Sequence, residues 1–312
     1  MGAGFIFPGQ GAQYVGMGKE LCERYPSARA VFEEVNDSLG MDLAKVCFEG
    51  PEEALKQTVN TQPAILAVSA ACLAVLVEQG VTPEAAAGLS LGEYGALVAA
   101  DSLDLGDAVR LVQRRGRYMQ EAVPEGRGTM AAILGLGRAE VEQACREASA
   151  TGVVEPANYN CPGQVVIAGE TAAVDRAVAM AKELGATRVV RLAVSAPFHC
   201  RLLRPAGERL AEDLEQVELK EAVIPVVANV SADYVRQPED IKRCLIDQVS
   251  RPVRWEESVR RMVDDGVNLF VEVGPGKTLS GFLKRIVPEA RTLNVEDGSS
   301  LEKLLDYWGE VC

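Results

Sequence analysis

The sequence predicts a layered α/β protein in which helices cover both faces of a parallel sheet. Hydrophobic residues make up 48% of the 312 residues and aromatic residues only 5%, a composition that favours buried strands built from short aliphatic runs. Such runs alternate with longer helical patterns along most of the chain, as in strand–helix–strand units. The segment 127–196 departs from this alternation and predicts a second, smaller domain.

The elements of the larger domain follow from apolar periodicity and turn residues. Residues 3–7, AGFIF, predict a strand that ends at Pro8-Gly9. The remaining elements in chain order are helices over about 17–38, 61–80 and 106–122, and strands over about 84–88, 224–228, 268–273 and 291–294.

Residues 127–196 predict strand, helix, strand, strand, helix and strand, in that order. This is the ferredoxin-like β-α-β-β-α-β arrangement, which is complete in itself. We therefore expect a small domain inserted into a core formed by residues 1–126 and 197–312, with joints near 124–126 and 195–197. A cleft between two domains is a favoured place for a ligand site.

Composition narrows the possible functions and locations. A net charge of −13 argues against nucleic-acid binding, and the first residues lack the basic start of a secretory signal. The apolar stretch 64–77 is shorter than a bilayer requires and predicts a core helix. Eight scattered cysteines without a C-x-x-C pair, together with one histidine, predict buried free thiols, no zinc site and a reduced, cytoplasmic protein.

The sequence GLSLG at 88–92 matches G-x-S-x-G, the pattern of a strained strand-to-helix turn that exposes a nucleophilic serine. The required context is present, since the apolar AAAGL precedes Ser90 and the helical GEYGALVAA follows it. Glu93 falls in the first turn of that helix, where its charge complements the helix dipole. Serine also needs a base to accept its proton.

His199 is the only histidine in the chain and so the only imidazole available to Ser90. A lone histidine is usually an ordinary core or surface residue, but this one follows a proline at a predicted domain joint, where loops carry function. No aspartate is evident as a third member of a triad, so a carbonyl can take the role of orienting the imidazole.

Two glycine-rich segments look like nucleotide-binding loops but lack a required residue. In GPGKTLSG, residues 274–281, the phosphate-loop spacing needs a glycine where Val271 stands. In GQGAQYVG, Tyr14 takes the place of the last glycine of G-x-G-x-x-G. Neither segment predicts nucleotide binding.

Several motifs along nearly the whole chain point together to one family. They are FIFPGQGAQYVGMG, TQPAILAVS, GLSLGEYGAL, LVQRRGRYMQEAVPEG, ANYNCPGQVVIAG, VSAPFHCRLL, RPVRWEESV and EVGPGKTLSG. In this order they resemble bacterial malonyl-CoA:acyl-carrier-protein transacylases and the related acyltransferase domains of polyketide synthases. The resemblance implies an α/β-hydrolase-like core with an inserted ferredoxin-like subdomain.

The resemblance also implies roles for the central residues. Ser90 matches the family's nucleophile and His199 its base, while the backbone carbonyl of Gln248 matches the group that orients the imidazole. The main-chain N–H groups of Gln10 and Leu91 match the oxyanion hole, and an elbow places one such donor directly after its nucleophile.

Arg115 matches the arginine that binds the free carboxylate of the malonyl group, which suits the planar fork of a guanidinium. Taken from the residues alone, Arg114, Arg115 and Arg117 would instead predict a solvated helix face.

Further matches concern the substrate pocket. Asn158 and Asn160 match positions that line the site, although both types are also common in turns. Phe198 matches a phenylalanine that accompanies selection of malonyl over methylmalonyl groups.

The chain departs from the family pattern at Leu89, where the family usually has histidine. This change affects the tuning of the elbow and leaves the base in place.

The implied function is transfer of a malonyl group from malonyl-CoA to the phosphopantetheine thiol of acyl carrier protein, through a malonyl-serine, for fatty acid synthesis. No cofactor is implied, because CoA and phosphopantetheine act as substrate arms. We expect a cytoplasmic monomer without nucleic-acid or membrane partners. Since carrier proteins are acidic, docking should use a local basic patch, with these candidates: Arg114, Arg117, Arg201, Arg204, Arg251 and Arg254.

Three alternatives remain open at this point. The same chemistry could serve a polyketide pathway as a free-standing acyltransferase. A thioester hydrolase would have no need for Arg115, and a non-catalytic scaffold that binds carrier protein would not need both Ser90 and His199.

Overall fold

The computed structural model describes residues 2–194 and 196–311; Ser195, in the second predicted joint, lies outside this part of the chain. The strands are β1 (Gly2–Phe7), β2 (Ala85–Gly88), β3 (Gly128–Leu134), β4 (Val154–Cys161), β5 (Gln164–Glu170), β6 (Arg188–Arg191), β7 (Val226–Val227), β8 (Tyr234–Val235), β9 (Val267–Val273) and β10 (Arg291–Val295). The helices are α1 (Lys19–Arg24), α2 (Pro26–Leu39), α3 (Leu43–Glu49), α4 (Glu52–Lys56), α5 (Thr58–Glu78), α6 (Gly92–Ala99), α7 (Leu105–Glu121), α8 (Arg138–Ala148), α9 (Thr171–Glu183), α10 (Arg204–Leu214), α11 (Pro238–Ser250), α12 (Trp255–Asp264), α13 (Thr278–Ile286) and α14 (Gly298–Val311), with a short 3₁₀ turn at Arg201–Leu203.

The larger sheet has six strands in the order β10-β9-β1-β2-β7-β8. Every neighbouring pair is parallel except the short β7–β8 pair. The central strand β1 is buried at all but its first residue, as expected for a strand covered on both faces. Phe7, the end of β1, lies opposite Gly88, the end of β2, so the loops that follow these two strands leave the same edge of the sheet.

The second sheet has four antiparallel strands in the order β4-β5-β3-β6. Helices α8 and α9 pack on one of its faces, where Ala131 and Ile133 of β3 join their core. Met130 and Ala132, which alternate with them, join the main core instead, because successive strand residues point to opposite faces. The molecule is therefore a mixed α/β protein with a largely parallel sheet and a separate antiparallel sheet, as predicted in outline.

Helix α5 passes through the main core. It has 21 residues and is apolar enough to cross a membrane by length and composition, but 83% of its most apolar window is buried inside the protein. The helix is longer than the apolar stretch 64–77 because it begins at Thr58, before that run. Its burial against α2 and α7 makes it a core helix.

Two sequence-based boundaries differ from the structure. The predicted helix 17–38 is divided into α1 and α2 at Tyr25, whose backbone is extended with φ −120°. Pro26 explains the break, because a residue before proline is disfavoured in helical conformation while proline itself suits the first helical position. The predicted strand 224–228 contracts to the two residues of β7.

The described cysteines are buried free thiols, namely Cys22, Cys47, Cys72, Cys145, Cys161, Cys200 and Cys244; Cys312 lies outside the described residues. Burial raises the pKa of the Cys22 and Cys47 thiols to about 12, which keeps them protonated and poorly reactive.

Candidate active site

Ser90 occupies a sharp turn between β2 and α6. Its φ of 55° lies in the left-handed region, which costs a non-glycine residue about 1–3 kcal/mol and is typical of functional sites. A Cβ on Gly88 would collide with the backbone of Gly92, and a Cβ on Gly92 would collide with the carbonyl oxygen of Phe7. The two glycines of the motif are therefore required because α6 crosses so close to β1 and β2.

Asn229, which sequence reasoning missed, anchors this turn. Its Oδ1 accepts a hydrogen bond from the Ser90 N–H at 2.6 Å, and its Nδ2 donates to the Gly88 carbonyl at 2.7 Å. The residue is fully buried and comes from the loop after β7, 139 positions beyond Ser90. A single asparagine at that distance carries no local signal.

His199 lies in position to act on Ser90. Its Nε2 is 2.7 Å from the serine Oγ, and its Nδ1 is 2.8 Å from the backbone carbonyl oxygen of Gln248. A carbonyl can only accept, so Nδ1 carries the proton and Nε2 is left to accept the serine hydroxyl. Gln248 thus orients the imidazole in the place where many hydrolases use an aspartate.

The environment of His199 keeps its imidazole neutral. Burial and, to a smaller extent, the nearby Arg115 cation lower its pKa to about 3, against the opposite effect of the bond to Gln248. A neutral imidazole at physiological pH is the form that can accept a proton from Ser90.

Gln10 and Leu91 flank the serine from two loops at the same sheet edge. Both line the cavity that contains Ser90 and His199. Within the described part of the chain, neither backbone N–H donates to another residue. Two free N–H groups beside a serine hydroxyl can stabilise a developing oxyanion.

Arg115 is buried, with 1% of its surface exposed. Its Nη1 donates to Gln62 Oε1 at 2.8 Å, and its Nη2 donates to Gln248 Oε1 at 2.8 Å and to Ser90 Oγ at 3.1 Å. The guanidinium therefore lies beside the serine hydroxyl. Gln62, which belongs to α5, was not predicted as a site residue.

The neighbouring arginines of α7 differ from Arg115. Arg114 and Arg117 are exposed, and Arg114 pairs with Asp213 at 2.7 Å. The solvated-face interpretation thus holds for these two residues and is wrong for Arg115, which lies on the buried face of the same helix.

Two adjoining cavities, one of which contains the serine, share part of their lining. The smaller, of about 100 Å³, contains Ser90, His199 and Arg115, and is otherwise lined largely by apolar residues that include Phe198 and Met130. The larger, of about 260 Å³, is lined by Asn160 and by residues of the loop after β1, of the second sheet and of α13. The residues common to both cavities are Gln10, Leu89, Asn158 and Leu192.

The arginines proposed for docking do not form one rim. Arg204 and Arg251 line the same surface groove, and Arg251 pairs with Asp247 at 3.4 Å. Arg201 lines a different groove, where it pairs with Glu155 at 3.2 Å.

Comparison with known proteins places this geometry in a family. The acyl transferase domain model matches residues 4–302. The chain is 47% identical to the malonyl CoA-acyl carrier protein transacylase of Bacillus subtilis, over 96% of this chain and 94% of that protein. The chain belongs to the malonyl CoA-acyl carrier protein transacylase family. It is also 46% identical to the Escherichia coli K12 transacylase, over 97% of this chain and 98% of that one.

Solved transacylase structures agree with this assignment. An acyl carrier protein S-malonyltransferase from Vibrio cholerae superposes with a TM-score of 0.96 at 45% identity, covering 97% of this chain and all of that one. A malonyl-transacylase solved in complex with a type II polyketide acyl carrier protein superposes with a TM-score of 0.96 at 44% identity. The superposition covers 98% of this chain and 100% of that one. This transacylase family member is therefore an acyltransferase, and the resemblance stated from sequence is confirmed.

Proposed function

We propose that this protein transfers a malonyl group from malonyl-CoA to the phosphopantetheine thiol of acyl carrier protein through a malonyl-Ser90 ester. The observation that carries the proposal is the continuous contact from the Gln248 carbonyl through His199 to Ser90 Oγ, with the buried Arg115 guanidinium on the same oxygen. Ser90 is the nucleophile, His199 is its base, and the Gln248 carbonyl orients that base. Arg115 supplies selectivity for an anionic acyl group.

In the first half-reaction, His199 Nε2 accepts the hydroxyl proton as Ser90 Oγ attacks the thioester carbonyl. The N–H groups of Gln10 and Leu91 bind the oxyanion of the tetrahedral intermediate. Its collapse breaks the C–S bond, and the CoA thiolate takes the proton from the imidazolium. Malonyl-Ser90 and free CoA remain, with His199 neutral again.

The second half-reaction repeats these steps with the carrier. His199 accepts the proton of the phosphopantetheine thiol, and the thiolate attacks the ester carbonyl of malonyl-Ser90. Collapse breaks the C–O bond, and the serine oxygen recovers its proton from the imidazolium. Only an acyl group and a proton move, so the reaction requires no metal or redox cofactor.

The smaller cavity fits the malonyl group. Arg115 would bind the free carboxylate in a bidentate manner, and Phe198 would crowd a methyl group at the α-carbon. The larger cavity would accept the pantetheine arm, whose amides need polar partners. Asn160 Oδ1, buried and without a hydrogen-bond partner among the described residues, and Asn158 at the junction of the cavities supply them.

The finer description of the fold is also part of the proposal. A nucleophile turn between a central parallel strand and the next helix is the arrangement of α/β-hydrolases, which supports a hydrolase-like core of residues 1–126 and 197–312. The β-α-β-β-α-β order and the strand order of the second sheet support a ferredoxin-like subdomain at 127–196. The site lies where the two parts face each other.

The carrier protein would dock through exposed arginines outside the two site cavities. We favour Arg204 and Arg251, because they line one groove, whereas Arg201 lines a separate groove. The protein would act as a cytoplasmic monomer, without nucleic-acid or membrane partners.

Fatty acid synthesis is the pathway we favour, because the curated relatives carry the transacylase name in bacteria such as Bacillus subtilis and Escherichia coli. Service in a polyketide pathway is the second candidate. It is favoured by the likeness to a malonyl-transacylase solved with a type II polyketide carrier.

The test is a transfer assay with malonyl-CoA and a holo acyl carrier protein, in which the products are separated by mass. Transfer predicts malonyl-carrier and free CoA in equal amounts. Free malonate with an unmodified carrier would indicate a hydrolase, and unreacted malonyl-CoA would indicate a non-catalytic protein. Comparing a fatty acid carrier with a polyketide carrier distinguishes the two pathways.

A further inference from the structure

Glu93 has a buried carboxylate directly beneath the active-site turn. Only 2% of the residue is exposed, and its Oε2 accepts hydrogen bonds from the Asn229 N–H at 2.9 Å and from Gln248 Nε2 at 2.8 Å. Asn229 anchors Ser90, and Gln248 contacts both Arg115 and His199. One carboxylate thus contacts the two residues that position the rest of the site.

Arg115 has no carboxylate partner among the described residues, although a buried cation is costly without one. The Gln248 amide lies between it and Glu93, with Oε1 accepting from Arg115 and Nε2 donating to Glu93. If this amide turned over, its NH₂ would face the guanidinium and its oxygen would face the carboxylate. Nε2 also donates to the Ser90 carbonyl at 3.0 Å, so Glu93 and this carbonyl together keep the amide oxygen turned toward Arg115.

We propose that Glu93 is a positioning and specificity-determining residue. Together with the Ser90 carbonyl it holds the Gln248 amide in the orientation that fixes Arg115, and its charge partly compensates the Arg115 cation across that amide. The charge state of Glu93 thereby sets how strongly the acyl cavity favours an anionic over a neutral acyl group. This inference rests on the proposed malonyl transfer.

The hydrogen bonds leave room for a proton on this carboxyl group. Both recorded bonds go to Oε2, and Oε1 accepts none from the described residues. A proton on Oε1 therefore neutralises Glu93 without breaking the contacts to Asn229 and Gln248. Burial raises the pKa of Glu93 to about 7, against the lowering effects of those two donors and of Arg115.

Among the residues that the structure describes, the other titratable groups around Glu93 keep their charge near neutrality. Tyr94 on α6 has a pKa raised to about 12 and Cys244 on α11 one raised to about 11, mainly by burial, and Arg115 on α7 stays protonated. Strands β1 and β2 carry no titratable side chain, and burial raises the pKa of the Cys72 thiol on α5, which keeps it neutral. The pKa of His199, about 3, is also far from this range.

The expected pH dependence follows from the signs of the charges. At pH 8 Glu93 is ionised and offsets part of the Arg115 charge, which weakens attraction of the malonyl carboxylate. At pH 6 Glu93 is neutral, while an aliphatic carboxylate such as malonyl remains ionised. The ratio of malonyl to acetyl acylation should therefore rise as the pH falls from 8 to 6.

The experiment measures Ser90 acylation by malonyl-CoA and by acetyl-CoA from pH 6 to 8, by rapid quenching and intact mass. In Glu93→Gln, the amide oxygen can still accept both hydrogen bonds without the charge. This variant should raise the malonyl:acetyl ratio at pH 8 roughly threefold or more and lose the pH dependence. Glu93→Ala removes this acceptor as well and leaves Gln248 Nε2 only the Ser90 carbonyl, so malonyl acylation should fall more than acetyl acylation.

Glu272→Gln is the matched control, because Glu272 is also a fully buried glutamate but accepts from the first turn of α13. The Glu272→Gln variant should have the same malonyl:acetyl ratio as the wild type, with the same pH dependence. The proposal would be overturned if both Glu93 variants lost acylation rate equally with malonyl-CoA and acetyl-CoA. It would also be overturned if the malonyl:acetyl ratio of Glu93→Gln matched that of the wild type at every pH. Failure of the wild type to form malonyl-Ser90 would instead overturn the proposed function.

Discussion

At the scale of single residues, Arg115 offers the clearest test of substrate selection. Replacing Arg115 with alanine should slow acylation of Ser90 by malonyl-CoA tenfold or more, since charge-assisted hydrogen bonds contribute about 1.5–3 kcal/mol. Acylation by acetyl-CoA should be unchanged or faster. Arg110→Ala, on the exposed side of the same helix, is the control and should leave both rates unchanged. If Arg115→Ala lowered the acylation rate equally with malonyl-CoA and acetyl-CoA, Arg115 would have a structural role.

His199 should make stability depend on pH in a defined window. Its folded-state pKa of about 3 lies below its usual value of 6.5, so the unfolded chain binds the extra proton between these limits. This residue's contribution to stability is complete above pH 6.5 and is lost at about 1.4 kcal/mol per pH unit as the pH falls toward 3. His199→Gln should therefore gain stability relative to wild type between pH 6.5 and 4.

Urea unfolding of both proteins at several pH values measures this difference. Glu93, whose pKa is raised to about 7, has the opposite effect: between its unfolded-state pKa and pH 7, its contribution to the free energy of unfolding decreases as the pH rises. That contribution is present in both proteins and largely cancels in the comparison. A constant difference between variant and wild type across the range would contradict the neutral, buried imidazole.

Sequence reasoning reached some site residues and not others for a physical reason. Ser90 lies in a local pattern, and His199 stands out as the only imidazole. Asn229 and Gln62 act through side-chain amides that come from distant segments, and no periodicity marks such residues. The dipole role predicted for Glu93 is incomplete, because only the fold shows its carboxylate beneath Ser90.

At the scale of elements, the close crossing of α6 over β1 explains the second glycine of the motif. Gly92→Ala should destabilise the protein by about 1–3 kcal/mol, because the new methyl group meets the Phe7 carbonyl and must displace the helix. Gly281→Ala on α13 is the matched control, since nothing lies within 4 Å of its Cβ position. That change should stabilise by about 0.4–1 kcal/mol. Similar unfolding midpoints for the two variants would contradict the described crossing.

Elements with strong periodicity were predictable, and short or interrupted ones were not. Helices α5 and α7 and strands β1 and β9 lie close to their predicted positions. The apolar spacing of 17–38 continues across Tyr25, so the pattern hides the break that the Pro26 backbone imposes. Strand β7 has only two residues, and its pairing with β2 depends on the assembled sheet.

At the scale of the whole molecule, charge distribution matters for partner binding. The chain carries a net charge of −13, so an acidic carrier would be repelled unless it meets a local basic surface. Reversing both Arg204 and Arg251 to glutamate should slow transfer to the carrier at low salt and leave malonyl-Ser90 formation unchanged. Lys45→Glu/Lys56→Glu changes the net charge equally at another site. Equal effects of the two double variants would exclude the Arg204–Arg251 groove as the docking surface.

The central claim is that Ser90 carries the acyl group between two thiols, and intact-mass measurement tests it most directly. Wild-type protein mixed with malonyl-CoA should gain the mass of one malonyl group, and holo acyl carrier protein should then remove it and gain the same mass. Ser90→Ala should show no adduct under the same conditions. An adduct on Ser90→Ala, or a wild-type adduct that the carrier never discharges, would contradict the account.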